Sequence, residues 1–128
     1  MSDADGTPPI RVMLVNIQGV MRNIIEALVQ RQLDMVLVGS MAEIKALPPT
    51  IADKVDVVLW SATPISPLPI EGTQLLDDYP HLRLIVMTPN ASDAVMYWLA
   101  LQDYQFEEVS SKSVLNIIRT AHEKNPMS

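Results

Sequence analysis

The sequence predicts an α/β domain: a three-layer, doubly wound, five-stranded parallel sheet covered by helices on both faces. Three observations predict it. Short apolar runs recur along the chain. Amphipathic stretches with helical spacing separate them, and proline or glycine marks most of the junctions. Regular strand–helix alternation implies parallel strands joined by right-handed crossovers.

Residues 1–9 read as a flexible leader ending in Pro8-Pro9. "IRVMLV" (10–15) is a continuous apolar run, as expected of a strand covered on both faces. "VMRNIIEALVQRQ" (20–32) places Val20, Ile24 and Leu28, and also Met21 and Ile25, at helical spacing. "MVLVG" (35–39) is a second strand, and "MAEIKAL" (41–47) a short helix stopped by Pro48-Pro49. "VDVVLW" (55–60) is the third strand. A loop carrying Pro64, Pro67 and Pro69 follows, and its "PISP" reads as a stiff surface turn.

"GTQLLDDY" (72–79) is a short helix, and "LRLIVM" (82–87) the fourth strand, broken by Thr88-Pro89-Asn90. "SDAVMYWLALQ" (92–102) reads as a helix with Ser92 as N-cap. "YQFEEV" (104–109) is the fifth strand. "SVLNIIRTAHEK" (113–124) is a last amphipathic helix, with Ser113 as N-cap and His122 and Lys124 at the end where positive charge suits the dipole. The expected division is thus a leader over 1–9, one domain over 10–124 and a tail over 125–128.

Composition narrows the function. The chain has 128 residues and 48% hydrophobic residues, enough for one core. Its net charge is −6, and the nine basic residues are scattered and never adjacent. Phosphate backbones need clustered Lys and Arg, so nucleic acid is not an expected partner. There is no cysteine, hence no disulfide and no thiol chemistry. The longest apolar run, 94–101, is too short to span a bilayer, and the start lacks the features of a secretory signal. A cytoplasmic protein is expected, with no membrane partner.

In such folds the working residues gather at the carboxyl ends of the strands. Those ends are Asn16-Ile17-Gln18, Gly39-Ser40, Ser61-Ala62-Thr63, Thr88-Pro89-Asn90 and the region 107–110. They are nearly uncharged. Magnesium wants carboxylates, and Asp53 and Asp56 precede the third strand, at its wrong end. No glycine-rich phosphate loop is present: "NIQGVM" carries one glycine. Ser61 and Thr88 are the available hydroxyls, with no neighbour in sequence to activate them. His81 and His122 read as solvated surface residues. No cofactor, no metal and no enzymatic activity are expected.

These residues resemble the receiver domain of bacterial two-component response regulators. "IRVMLVNIQGVMRNIIEALV" is similar to the family's first strand and helix, whose two acids fall on Asn16 and Ile17. "VDVVLW" followed by Ser61 resembles the strand that carries the phosphoacceptor aspartate, 45 residues after Asn16. "LRLIVMT" resembles the strand ending in the switch Ser/Thr, here Thr88, and "YQFEEV" the strand with the switch aromatic, here Phe106. The family's lysine has no counterpart, since the count falls between Glu107 and Ser110. Only Thr88 keeps its type among the five functional positions.

The resemblance covers about residues 10–124 and implies a flavodoxin-like sheet of order 2-1-3-4-5. It also implies a degenerate pseudo-receiver without phosphotransfer or magnesium. Function then passes to a surface: a protein partner or homodimer through the 92–102 helix, with Met96, Tyr97, Trp98 and Leu101 as the interaction face. Two alternatives stand beside it. One is a small-ligand or enzymatic domain using the crevice near Ser61 and Thr88. The other is the N-terminal regulatory domain of a longer DNA-binding regulator.

Overall fold

The central apolar strands of this chain form because each can bury both faces at once. The computed structural model describes residues 8–90, 92–100, 103–109 and 114–123. In chain order it contains β1 (Ile10–Val15), α1 (Gly19–Gln30), β2 (Met35–Met41), a 3₁₀ turn (Ile44–Ala46), α2 (Pro49–Ala52) and β3 (Val57–Ser61). There follow α3 (Ile70–Asp78), β4 (Arg83–Met87), β5 (Ala94–Ala100), β6 (Asp103–Val109) and α4 (Val114–Glu123). The strands form one six-stranded mixed sheet of order β2-β1-β3-β4-β5-β6. β2, β1, β3 and β4 run parallel, whereas β5 and β6 each pair antiparallel with the strand before them.

Successive side chains of a strand point to opposite faces. Val12, Leu14, Val57, Leu59 and Ile85 therefore pack against Ile25 and Val29 of α1 and Ile117, Ile118 and Ala121 of α4. Met13, Val15, Val58, Trp60, Leu84 and Val86 pack on the other side with Ile44, Leu47, Ala52, Leu75 and Leu76. Each fully buried Leu or Val stabilises by about 1.5–3 kcal/mol. The four strands predicted before residue 88 are present, and so are the helices over α1, α3 and α4.

The segment over 92–102 corrects the sequence reading. Residues 94–100 are not a helix but strand β5, paired with β4 from Leu84↔Tyr97 to Met87↔Ala94. Ala94 and Met96 enter one core and Val95 and Tyr97 the other. A segment apolar on all sides is thus a strand between two covered faces, and a short apolar run does not tell the two apart by period. The sheet is correspondingly mixed and six-stranded, not parallel and five-stranded.

The turn into β5 shows why a hairpin replaces the expected cap. The Thr88 N–H donates to the Asp93 carbonyl at 3.0 Å. The Ser92 N–H donates to the Asn90 carboxamide oxygen and to the Thr88 hydroxyl, both at 3.1 Å. Ser92 closes a tight loop and caps nothing. Two smaller corrections follow. Pro49 opens α2 at its first turn, where its missing N–H costs nothing, and does not end a helix. On α1, Val20 and Ile24 face solvent, and the core side is set by Ile25 and Val29. Residues 1–7 of the expected leader, Ser113, Lys124 and the tail over 125–128 lie outside the described residues.

Candidate functional site

The crevice at the carboxyl ends of β1, β2 and β3 is organised by Asn16. Its backbone has φ 56°, in the left-handed region that Asn tolerates better than most residues. That twist lets one residue reach three strands. The Asn16 N–H donates to the Met41 carbonyl of β2 at 2.8 Å. Its side-chain amide donates to the Ser61 carbonyl of β3 at 2.9 Å. Its carboxamide oxygen accepts from Gln18 Nε2 at 3.0 Å. Gly19, at φ 63° with open space around it, then starts α1.

Two of the predicted pocket residues therefore meet, Asn16 and Ser61. The others do not. Ile17 is buried in the core beneath α1 and α4. Thr88 turns into the β4–β5 loop, where its hydroxyl donates to Asn90 Oδ1 at 2.9 Å and accepts from the N–H groups of Ser92 and Asp93. Phe106 sits on β6, its ring edge-on to Tyr97 at 6.4 Å. That strand is the outer edge of the sheet, three strands away from the β3 end of the crevice.

The predicted interaction face is mostly interior. Met96 is fully buried and Tyr97 is 5% exposed. The Tyr97 hydroxyl donates to the Ile65 carbonyl at 2.6 Å, which ties the proline-rich loop to β5. Burial pushes the Tyr97 phenol above its ordinary value. Trp98 packs on the α1/α4 side. Leu101 lies outside the described residues. On a helix, one core-facing stripe could not bury both Tyr97 and Trp98, which would stand about 100° apart. On a strand, neighbouring side chains point to opposite faces, and here both faces are covered.

Sequence reasoning missed a cleft of about 530 Å³ lined by Asn16, Ala42, Glu43, Ile44, Lys45, Trp60 and Glu71. The strand-end rule could have found Glu43 and Lys45, because β2 runs to Met41, two residues past Gly39. Glu71 stands in the first turn of α3. The crevice is therefore not neutral: two carboxylates and one ammonium border it. Among the described residues no three of His, Cys, Asp and Glu come together as a metal site.

Charge concentrates at the opposite end of the sheet. Asp56 accepts from the Arg11 N–H at 2.9 Å and forms a two-bond pair with its guanidinium, both bonds 3.1 Å. Burial works against the Asp56 carboxylate, but these bonds outweigh it and hold its pKa below the ordinary range. Arg83, 4% exposed, donates to the His81 and Leu82 carbonyls. Burial lowers its pKa and Asp56 opposes that. His81 Nε2 faces the Ala52 and Val55 carbonyls at 3.2 and 3.1 Å, so it carries the proton. These groups close the base of the sheet and stand away from the crevice.

No helix among the described residues is long and apolar enough to cross a membrane. No protein-family model, no curated protein and no solved structure matches this chain.

Proposed function

We propose that this chain is a receiver-like signalling module that has lost phosphotransfer and acts by binding another protein in the cytoplasm, without enzymatic activity. The bond from the Asn16 amide to the Ser61 carbonyl carries the reading. It joins the two strand ends where the family's acid and phosphoacceptor would stand, and neither group can be phosphorylated as an aspartate or chelate magnesium. The order β2-β1-β3-β4 of the parallel strands supports the likeness. The chain departs from it at the β5–β6 hairpin, which stands where the family has a helix and a parallel strand.

The test is exposure to acetyl phosphate with magnesium, followed by intact mass. The expected result is no mass gain. A stoichiometric gain that Ser61→Ala removes would overturn the reading.

The cleft beside Trp60 favours a second reading, a site for a small polar ligand held by Glu43, Lys45 and Glu71. The chain has two tryptophans, so a Trp98→Phe background leaves Trp60 as the sole indole reporter. Saturable change in its emission with a metabolite panel supports this reading, and a flat response across the panel removes it.

A further inference from the structure

β6 is the last strand on its side of the sheet, and no described strand lies beyond it. Its side chains are exposed from Asp103 through Glu108, Phe106 by 66% and Tyr104 by 46%. An edge strand presents outward N–H and C=O groups that template a further strand. Proteins usually blunt such edges. At the far edge, the β1–β2 register shifts between Val12 and Met13, an irregularity that twists β2. β6 carries no such irregularity, and what guards its edge is acidic charge, that of Asp103, Glu107 and Glu108. Its register with β5 is unbroken from Ala94↔Val109 to Ala100↔Asp103, and it holds neither Pro nor Lys.

Charge selects the occupant. Between Arg83 and Lys112 the chain has no Lys, Arg or His, but it has Asp93, Asp103, Glu107 and Glu108. Asp77 of α3 adds to this region, accepting from the Tyr104 hydroxyl at 2.5 Å. A second copy would bring the same acids to the same edge of a chain of net charge −6, where like charges repel. A basic strand would gain instead. Tyr104, Phe106 and Glu108 share one face of β6, because they stand opposite Leu99, Tyr97 and Val95. A cation there meets a carboxylate and an aromatic ring together.

We infer that β6 receives an extended segment of a partner protein bearing alternating Lys or Arg, which adds to the sheet as a seventh strand. This rests on the protein-binding reading above.

The probe is a short peptide of alternating lysine and valine, titrated into the full chain and followed by calorimetry and by amide resonances of residues 103–109. Controls are the glutamate–valine peptide and a lysine–valine peptide N-methylated at alternate residues. The lysine peptide should bind, shift those amides and weaken with salt, while both controls fail. The double variant Asp103→Lys with Glu108→Lys, at two exposed positions, should weaken binding about tenfold or more. Equal binding of the glutamate peptide, unshifted 103–109 amides, or no binding overturns the proposal. So does sedimentation showing self-association that this double variant removes, because the occupant is then a second copy. None of these outcomes moves the acetyl-phosphate result, so the two readings fail separately.

Discussion

The parallel strands β1, β3 and β4 and the antiparallel hairpin β5–β6 solve the same burial problem differently. The parallel edge strand β2 alternates between exposed and partly buried positions, whereas β1, β3 and β4 are buried along nearly their whole length and read in sequence as apolar runs, with Arg11 and Arg83 as the charged exceptions. β5 is buried in the same way at residues 94–97, yet its partner β6 is exposed over Asp103–Glu108. The centre of the sheet is closed on both faces, and the hairpin side thins to an uncovered edge. Burial on two faces erases the periodicity that would tell a strand from a helix. The exposed strand was the easier of the hairpin pair to read.

The largest effect that would sharpen this contrast is Tyr97→Glu. On an outward helix face the charge would be tolerated. In β5 it enters the core and should cost about 4 kcal/mol or more, unfolding the domain by circular dichroism. A folded, unchanged variant would break the strand assignment. Leu59→Ala, in the fully buried middle of β3, should cost about 2–5 kcal/mol in urea unfolding. Phe106→Ala on β6 should lie at the other extreme, within about 0.5 kcal/mol. Comparable losses at the two sites would mean that β6 is covered after all.

The ion pairs at the base of the sheet give a pH test between these extremes. The Asp34 carboxylate is held below its ordinary range, chiefly by the Arg119 hydrogen bonds, as Asp56 is by Arg11 despite burial. A depressed carboxylate adds stability above the unfolded pKa and loses it as pH falls through the folded one. The urea midpoint should therefore fall as pH drops below about 4. Asp56→Asn should cost about 1–3 kcal/mol near neutrality and flatten that acid-side slope. A slope identical to wild type would remove Asp56 from the account.

A smaller effect separates the two roles of Asn16. Asn16→Ala loses both the left-handed tolerance and the bond to Ser61, and should cost about 1–2 kcal/mol. Asn16→Gly restores the backbone freedom and loses only the bond, so its cost should be smaller. Equal losses by thermal melting would show that the bond alone matters.

Local chemistry made much of this legible. Predominantly apolar runs marked β1, β3 and β4, because a strand covered on both faces needs no alternation. The position of Asn16 and Ser61 at two strand ends was readable for the same reason, and their meeting at 2.9 Å follows from neighbouring parallel strands ending together. The glutamates and lysine of the cleft were hidden by a strand boundary two residues too early.

Local composition suffices to mark the segments rich enough in apolar side chains to be buried, and the polar, nearly acid-free ends of β1 and β3. The conformation of 94–100, and with it the direction of the last two strands, depends on contacts distant in the chain. Eight consecutive apolar residues, 94–101, satisfy a buried helix and a buried strand equally well. The choice belongs to what surrounds them: β4 offers an open ladder on one side, both cores accept alternate side chains, and the Thr88–Asp93 turn returns the chain antiparallel. Non-local pairing supplied the information that the local pattern lacked.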